Sequence, residues 1–492
     1  MEYRSTRSNY SCDSLHAVLH GISPDGGLFI SPEILASPFD WKSVIGLPTL
    51  KMAEKILGHL LPEFEDMEDL VRKAYTGKFE TEDLTPLMEV GDLHVLELFR
   101  GPTSAFKDVA LSMLPQLITA AKKQTGATDE TIILTATSGD TGKAALEGFH
   151  DVPGTGIIVF YPDGGVSPVQ RAQMVTQEGC NVKVCAVRGN FDDCQTAVKK
   201  TFAGINSMGI LAKAGMTLSS ANSINIGRLA PQVVYYFKAY SDLVGSGKIA
   251  LGDKMDFVVP SGNFGDILAG YFAKLMGLPV RHLVCASNEN RVLTDFLTTG
   301  LYNRERPFYR TSSPSMDILV SSNLERLLFL ACGCNPDQVK AWMQDLNEKG
   351  NFKVSDEVLS NITETFRAYC CTEKETIETI GKTYRDLGYL CDPHTAVGIK
   401  AAGDYRKDVD DGTALVVLST ASPYKFPAPV SEAIGLEVSG DEFSQIEKIS
   451  KVTGVPVPKN LSSLRSRKQL HSDVIDRDAV TDYVLAALGI EK

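Results

Sequence analysis

The sequence predicts an α/β fold built around parallel strands. Short apolar runs of strand length at 131–137, 156–161 and 181–187 are each followed by a stretch with the apolar spacing of a helix. The same alternation returns at 255–260 and 281–286. Strands that alternate with helices at this spacing favour a parallel sheet with helices on its faces. The chain has 492 residues, of which 43% are hydrophobic, enough for two or three domains.

In chain order, the pattern divides into five predicted segments. They are a mainly helical N-terminal domain at 1–93, the first part of a large domain at 94–134, a small α/β domain at 135–225, the second part of the large domain at 226–440, and a C-terminal helical segment at 441–492. The second part of the large domain carries a helical insertion at about 290–385. Within that insertion, apolar spacing predicts helices near 323–331, 336–347 and 355–385.

Bulk properties exclude several classes of function. The net charge of -12 offers no basic surface for nucleic acid. No apolar run is long enough to span a bilayer, and residues 1–7 are polar, unlike a signal peptide. The ten cysteines are scattered, with no CxxC pair and no Cys/His spacing typical of a metal site. We therefore expect a cytoplasmic protein with reduced thiols, a small-molecule substrate, and no metal, nucleic acid or membrane partner.

The segment Gly101-Pro-Thr-Ser-Ala-Phe-Lys-Asp108 places a lysine where a helix should begin. Gly101-Pro102 is a turn signal, and Ser104 is expected to cap the helix predicted from 106 to about 123. Lys107 then lies in the first turn, where the helix dipole opposes a positive charge. Most isolated lysines are solvated surface residues. An amine kept partly neutral at this position could instead act as a nucleophile or form a Schiff base.

Two glycine loops each lie between a predicted strand and a predicted helix. They read Ser138-Gly-Asp-Thr-Gly142 and Ser261-Gly-Asn-Phe-Gly265. Glycine lets the backbone approach an anion, and a helix N-terminus presents unpaired N–H groups to it. Neither loop is a Walker A motif or GxGxxG, and a single loop of this kind is more often a plain tight turn. Two such loops together with a first-turn lysine are what pyridoxal phosphate chemistry requires.

At these residues the sequence resembles the threonine synthase family. The lysine segment resembles that family's cofactor-lysine motif, and Ser261-Gly-Asn-Phe-Gly-Asp266 resembles its phosphate loop. Further matches follow in chain order at Pro24-Asp-Gly-Gly-Leu-Phe29, Val166-Ser-Pro-Val-Gln170, Gly189-Asn-Phe-Asp-Asp-Cys-Gln195, Ser219-Ser-Ala-Asn-Ser-Ile-Asn225, Ser313-Pro-Ser-Met-Asp317 and Asp392-Pro-His-Thr-Ala-Val-Gly398. The resemblance extends from residue 3 to about 430. It implies a pyridoxal phosphate enzyme of fold type II, related to the tryptophan synthase β subunit.

The resemblance also implies roles for particular residues. Lys107 would hold pyridoxal phosphate as a Schiff base, and Thr420 would lie at the pyridine nitrogen. The residues expected around the cofactor phosphate are Gly262, Asn263, Phe264, Gly265 and Asp266. The first candidates for binding substrate anions are Ser138, Asp140, Thr141 and Lys143, and the weaker candidates are Thr103, Ser104, Arg171 and Asn222.

Each of these residues also has a structural alternative. Asp140 and Asp266 could be helix N-caps only, and Lys143 and Arg171 could be ordinary exposed charges. His394 is expected to help start a helix rather than to transfer protons.

The implied reaction converts O-phospho-L-homoserine and water to L-threonine and phosphate, a carbon–oxygen lyase step of threonine biosynthesis. It proceeds by γ-elimination and β-addition of water, with the Lys107 amine moving the protons. A phospho-lyase acting on the same substrate would share the early steps and release 2-oxobutyrate. A β-replacement enzyme such as cysteine synthase would lack the N-terminal region and the long segment after residue 290. A catalytically inactive scaffold is the alternative from another class.

One departure from the family pattern bears on this choice. Ser422 stands where the family often has a histidine, while Thr420 and Lys425-Phe-Pro427 remain. We still expect pyridoxal phosphate to bind, because Thr420 and the lysine segment are unchanged. The serine bears instead on whether the reaction intermediate adds water to give threonine or is released as 2-oxobutyrate. The N-terminal extension resembles that of monomeric members, so a monomer is expected.

Overall fold

Two sheets of mainly parallel strands, each covered by helices, form the body of the protein. The computed structural model describes residues 2–137, 139–409 and 411–490. The α/β fold that the sequence predicts is confirmed.

The N-terminal region combines a small sheet with helices. Its elements are β1 (Tyr3–Ser5), β2 (Ser11–Cys12), α1 (Ser14–His20), β3 (Phe29–Ile30), α2 (Pro32–Ala36), α3 (Thr49–Leu60) and α4 (Met67–Tyr75). The strands pair antiparallel in the order β2-β1-β3. On α3 the buried residues Met52, Ile56 and Leu60 recur every fourth position, so one face of the helix packs into the core.

The next part of the chain begins both large sheets. Its elements are β4 (Leu87–Val90), β5 (Leu93–Glu97), α5 (Lys107–Thr125), β6 (Glu130–Ala136), α6 (Asp140–Phe149), β7 (Thr155–Pro162), α7 (Pro168–Val175), β8 (Val182–Arg188), α8 (Phe191–Met208), α9 (Ile210–Lys213) and β9 (Met216–Ser219). Ser167 and Gln170 form a capping box that starts α7.

The third part returns to the larger sheet. Its elements are α10 (Ile226–Gly245), β10 (Met255–Pro260), α11 (Gly265–Leu275), β11 (Val280–Ser287), α12 (Val292–Thr299), β12 (Leu301–Asn303), α13 (Leu324–Ala331), α14 (Pro336–Lys349), β13 (Asn351–Lys353), α15 (Asp356–Thr363), β14 (Phe366–Cys370), α16 (Glu373–Leu387), α17 (Pro393–Asp408) and β15 (Ala414–Ser419). The C-terminal part contributes α18 (Pro427–Ala433), α19 (Glu442–Thr453), α20 (Lys459–Ser462), β16 (Asp473–Asp476) and α21 (Val480–Ala487).

The larger sheet has six strands in the order β14-β11-β10-β15-β5-β4. All of its neighbours are parallel except β4, which is antiparallel to β5. The smaller sheet has five parallel strands in the order β16-β8-β7-β6-β9. The short strands β12 and β13 form a separate antiparallel pair.

Loops at the carboxyl ends of β6, β10 and β15 lead directly into α6, α11 and a short 3₁₀ helix. In open parallel sheets, ligands bind outside the carboxyl ends of the strands. Helix α5, which carries Lys107, packs against α6 beside the smaller sheet and against α10. Most residues of α5 and α10 are buried, so this pair of helices forms the centre of the core.

Two expectations from the sequence are wrong in detail. The helix expected at 355–385 is two helices, α15 and α16, separated by β14, which pairs with β11 at the edge of the larger sheet. Aromatic residues such as Phe366 and Tyr369 favour a strand when a neighbouring strand is available to pair with them. The apolar spacing of a single segment cannot show that such a neighbour exists. The segment at 441–492, expected to be helical, contains β16, which adds to β8 as an edge strand of the smaller sheet.

Transmembrane helices would need a long apolar stretch. None of the helices formed by the described residues has both the length and the apolar character to cross a membrane.

Candidate active site

Helix α5 begins at the lysine that the sequence singles out. Lys107 is its first residue, and the ring of Phe106 lies 4.4 Å from its Nζ. The prediction that Ser104 caps this helix is wrong, because Ser104 has a φ of +59° and its hydroxyl is bonded to Asn460. A non-glycine residue in this left-handed conformation costs about 1–3 kcal/mol. The C-terminal segment that carries Asn460 therefore supports a strained turn next to Lys107.

The Lys107 amine lies in a buried environment with charges of both signs. Only 9% of the residue is exposed, and burial lowers the pKa of Lys107 to about 8. The carboxylates of Asp140 and Asp266 raise this pKa, whereas the charges of Lys425 and Arg228 lower it. The amine is therefore far closer to neutral at working pH than a surface lysine, as a nucleophile or proton-transfer group requires.

The carboxylate of Asp108 fixes the turn that precedes Lys107. It accepts hydrogen bonds from the Thr103 N–H at 2.9 Å and from the Thr103 hydroxyl at 2.5 Å. Burial raises the pKa of Asp108 to about 6. The Thr103 carbonyl accepts from Lys425 Nζ and from Gln173 Nε2, each at 3.2 Å. The side chain and the backbone of Thr103 are thus already engaged in holding the lysine loop.

The loop between β6 and α6 presents Asp140 to the lysine. Asp140 is the first residue of α6 and not its N-cap, so that alternative is wrong. Its Oδ1 accepts from Gln170 Nε2 at 2.9 Å and lies 2.6 Å from Lys425 Nζ. Burial alone would raise the pKa of Asp140, but Lys425 and Lys107 hold it well below its usual range. Gly139 precedes it with a φ of +142°, a conformation available mainly to glycine.

The loop between β10 and α11 is a close backbone cradle. Phe264 has a φ of +62° and stands immediately before Gly265, the first residue of α11. A Cβ atom on Gly262 would lie 2.6 Å from the carbonyl oxygen of Ser315. The hydroxyl of Ser321 donates to the Gly262 carbonyl at 2.7 Å. The helix start and its unpaired N–H groups suit a phosphate.

Asp266 is held inside this cradle and does not cap α11. Its Oδ1 accepts from Ser261 Oγ at 2.6 Å and from the Ile267 N–H at 2.9 Å. Burial raises the pKa of Asp266. Asn263 is exposed, and its Oδ1 accepts from Ser322 Oγ at 3.2 Å.

Arg228 is a site residue that the sequence analysis missed. It lies in the first turn of α10, is 2% exposed, and donates from Nη1 to the Ala221 carbonyl at 2.7 Å. Its Nε is buried and has no hydrogen-bond partner among the residues that the structure describes. Burial lowers the pKa of Arg228 to about 10. A buried guanidinium with an unused donor points to an anionic ligand.

The other predicted substrate-binding residues differ in how far they are buried. Lys143 is buried, and its charge is paired with Glu147 at 2.9 Å, so it is not an ordinary exposed charge. Arg171 is exposed on α7, Asn222 is exposed in the turn before α10, and Thr141 is half-buried. Ser138 falls outside the described residues.

The segment after β15 packs along the lysine loop. Thr420 is buried, and its carbonyl accepts from the Phe106 N–H at 2.8 Å. The Ser422 hydroxyl accepts from the Tyr424 N–H at 3.4 Å and so caps the 3₁₀ helix Pro423–Lys425. Ser422 therefore orients the turn that carries Lys425.

His394 lies in the first turn of α17, as expected for a residue at a helix start. Its Nδ1 is 2.6 Å from Asp392 Oδ2, and its Nε2 accepts from the Ser315 N–H at 3.2 Å. The ring therefore supports the Ser315 turn that closes over Gly262.

Together, these residues fit pyridoxal phosphate. A buried amine and a backbone cradle at a helix start match an aldehyde that also carries a phosphate, and the unused donor of Arg228 remains for a further anionic group. Within the described ranges, no group of three or more His, Cys, Asp or Glu side chains is arranged to hold a metal ion.

Comparison with known families agrees with this fit. Residues 80–420 match the model described as "Pyridoxal-phosphate dependent enzyme", and residues 395–484 match "Threonine synthase, C-terminal". A crystal structure of threonine synthase from Brucella melitensis, with PLP bound, has a TM-score of 0.88 at 38% identity and covers 99% of both chains.

The chain is also similar to relatives of known sequence. Threonine synthase of Saccharomyces cerevisiae is 40% identical over 468 residues, covering 88% of this chain and 89% of the relative. Threonine synthase-like 1 of Macaca fascicularis is 37% identical over 469 residues, which cover 92% of this chain. The chain spans only 62% of the length of that second relative.

Proposed function

The chain belongs to the threonine synthase family of pyridoxal phosphate-dependent enzymes, and from that premise we propose that it converts O-phospho-L-homoserine and water to L-threonine and phosphate. The observation that carries this proposal is the buried Lys107 amine, whose pKa burial lowers to about 8. It stands at the start of α5, and the carboxylates of Asp140 and Asp266 that act on its charge lie in the first turns of α6 and α11, where the two glycine loops lead into helices.

Lys107 is the proposed catalytic residue. When bound, pyridoxal phosphate withdraws electrons from the carbon atoms of the substrate that lie next to its amine. The chain must then remove a proton at Cα and another at Cβ as phosphate leaves Cγ. It must later deliver one proton to Cγ and one to Cα, while water supplies the hydroxyl at Cβ. An amine with a pKa near the working pH can both accept and donate these protons.

The remaining residues are proposed to bind and orient. The cradle of Gly262, Asn263, Phe264, Gly265 and Asp266 would hold the cofactor phosphate, and Thr420 would lie at the pyridine nitrogen. Arg228 would bind an anionic group of the substrate, because its buried Nε has no hydrogen-bond partner in the described part of the chain. Replacing Arg228 with Gln should raise the KM for O-phosphohomoserine by at least about tenfold, as expected for a lost charge-assisted hydrogen bond.

A phospho-lyase that yields 2-oxobutyrate remains the second candidate, because Ser422 replaces a histidine of the family pattern. The synthase is favoured because the buried Ser422 supports the lysine loop: its hydroxyl caps a turn, and its N–H donates to the Ser104 carbonyl at 3.2 Å. We further propose a cytoplasmic monomer. The free state of all ten cysteines agrees with a reducing compartment.

The test is product analysis of the purified protein loaded with pyridoxal phosphate and supplied with O-phosphohomoserine. We expect equal amounts of threonine and phosphate, and no product from Lys107→Ala. Phosphate with 2-oxobutyrate and no threonine would identify a phospho-lyase. Absence of any product from a protein that carries the cofactor would identify an inactive scaffold.

A further inference from the structure

A buried ion pair joins the two large sheets next to Lys107. Lys425 follows β15 of the larger sheet, and Asp140 begins α6 on the smaller sheet. Their side chains are 0% and 4% exposed, and Lys425 Nζ lies 2.6 Å from Asp140 Oδ1. Burying two charges costs free energy that their attraction offsets only when the geometry is favourable. Removing one member of the pair would leave the other charge buried without compensation.

Neutral groups form hydrogen bonds with both members of this ion pair. Gln170 Nε2 donates to Asp140 Oδ1 at 2.9 Å, and Lys425 Nζ donates to the Thr103 carbonyl at 3.2 Å. Gln173 Nε2 donates to the same carbonyl at 3.2 Å. The pair is therefore tied to helix α7 and to the turn that carries the lysine.

Charged groups on four elements act on the pKa of Lys107. Asp140 on α6 and Asp266 on α11 raise it, whereas Lys425 on the 3₁₀ helix and Arg228 on α10 lower it. Two are carboxylates and two are cations, so the net charge around the amine depends on every member. Asp108, which also interacts with Lys425, belongs to α5 itself.

We propose that Lys425 is a positioning residue for Lys107: it neutralises the Asp140 carboxylate across the two sheets and so keeps the Lys107 amine able to lose its proton. Without Lys425, the Asp140 carboxylate would have no ion-pair partner among the described residues and would stabilise the ammonium form of Lys107. This inference rests on the proposed role of Lys107 as the reactive amine.

The physical reason is the low polarity of the site. A carboxylate within a few ångströms of a buried amine favours the charged form of that amine by about 1–3 pH units. A cation placed against the carboxylate cancels most of this effect. Lys425 thus acts by cancelling the charge of Asp140 at the Lys107 amine, without needing to touch substrate or cofactor.

The first test measures Lys107 without cofactor. The cofactor-free chain is labelled with trace acetic anhydride at a series of pH values, and acetylation of the Lys107 peptide is quantified by mass spectrometry. Lys425→Met should move the midpoint of Lys107 reactivity upward by about one pH unit or more, and Asp140→Asn should move it downward. Lys425→Arg should restore the midpoint of the unmodified chain.

Lys238→Met is the matched control, because Lys238 is also a buried lysine and is paired with Asp242 at 2.5 Å on α10. It should leave the Lys107 midpoint unchanged. A midpoint in Lys425→Met equal to that of Lys238→Met would overturn the proposal. If Lys425→Met does not fold, Asp140→Asn is compared with Asp140→Asn/Lys425→Gln, which carries a neutral pair. The proposal then requires a higher midpoint in the double variant.

A second readout uses bound pyridoxal phosphate. The long-wavelength absorbance of the loaded protein should convert at a higher pH in Lys425→Met than in the unmodified chain. The two failures are distinguishable. If the unmodified chain shows no such absorbance, the proposed function is wrong, whereas the acetylation result still decides the role of Lys425.

Discussion

The side-chain amide of Asn460 lies 2.9 Å from the hydroxyl of Ser104 and 2.7 Å from the carbonyl oxygen of Pro102. Asn460 belongs to α20 in the C-terminal segment, whereas Ser104 and Pro102 precede the catalytic lysine proposed here. The contact holds Ser104 at its φ of +59°. A distant part of the chain thus fixes the turn that orients Lys107.

Replacing Asn460 with Ala should therefore affect both stability and catalysis. Losing these hydrogen bonds should lower the free energy of unfolding by about 1–2 kcal/mol and should lower kcat by more than it changes KM. Urea unfolding and steady-state kinetics measure the two effects. Asn361→Ala is the control, since Asn361 is an exposed asparagine whose side-chain amide also donates to a backbone carbonyl, that of Ala331 at 3.0 Å. Equal kcat values for the two variants would contradict the account.

The buried Lys107 should make the cofactor-free chain less stable below pH 8. In the folded chain its pKa is about 8, against an ordinary value of 10.5 when unfolded. Between these values the unfolded chain binds more protons, so the free energy of unfolding rises with pH. The cost of burying the charge is complete below pH 8 and disappears above about pH 10.5.

Lys107→Met should accordingly stabilise the cofactor-free chain at pH 7 by about 1–3 kcal/mol, and the gain should shrink at pH 10. Urea unfolding at both pH values is the measurement. Lys340→Met, which changes an exposed lysine on α14, should show no such gain. A loss of stability in Lys107→Met at pH 7 would show that Lys107 is held by favourable native contacts instead.

Gly262→Ala should weaken cofactor binding. The added Cβ would lie 2.6 Å from the Ser315 carbonyl oxygen, a backbone atom, so the phosphate cradle must shift. We expect the Kd for pyridoxal phosphate to rise at least about tenfold, which corresponds to roughly 1.4 kcal/mol. Gly403→Ala on α17 meets no atom within 4 Å and should leave the Kd unchanged. An unaltered Kd for Gly262→Ala would place the phosphate elsewhere.

The alternation of strands and helices was predictable because each element carries its own apolar period. Helix α5 and the strands β6, β7 and β8 were predicted to within a few residues. The strand β14 was not, since its pairing with β11 depends on a neighbour more than 75 residues away in the chain. The same holds for β16, whose partner β8 is far upstream.

The candidate site was predictable where residues are contiguous in sequence. Lys107 was found from its unfavourable place in a first helical turn. Arg228 occupies a similar place in α10, so the same reasoning would have found it. Lys425 and Asn460 carry no local signal of this kind, because their contacts with Asp140 and Ser104 arise only when the sheets and the C-terminal segment come together.

The central claim is tested most directly by running the reaction in water enriched in oxygen-18. If the chain cleaves the Cγ–O bond and then adds water at Cβ, the threonine hydroxyl should carry the heavy isotope and the released phosphate should carry none. Heavy phosphate together with homoserine would mean hydrolysis of the phosphate ester, and would contradict the account of Lys107 as the proton-transfer group of a threonine synthase.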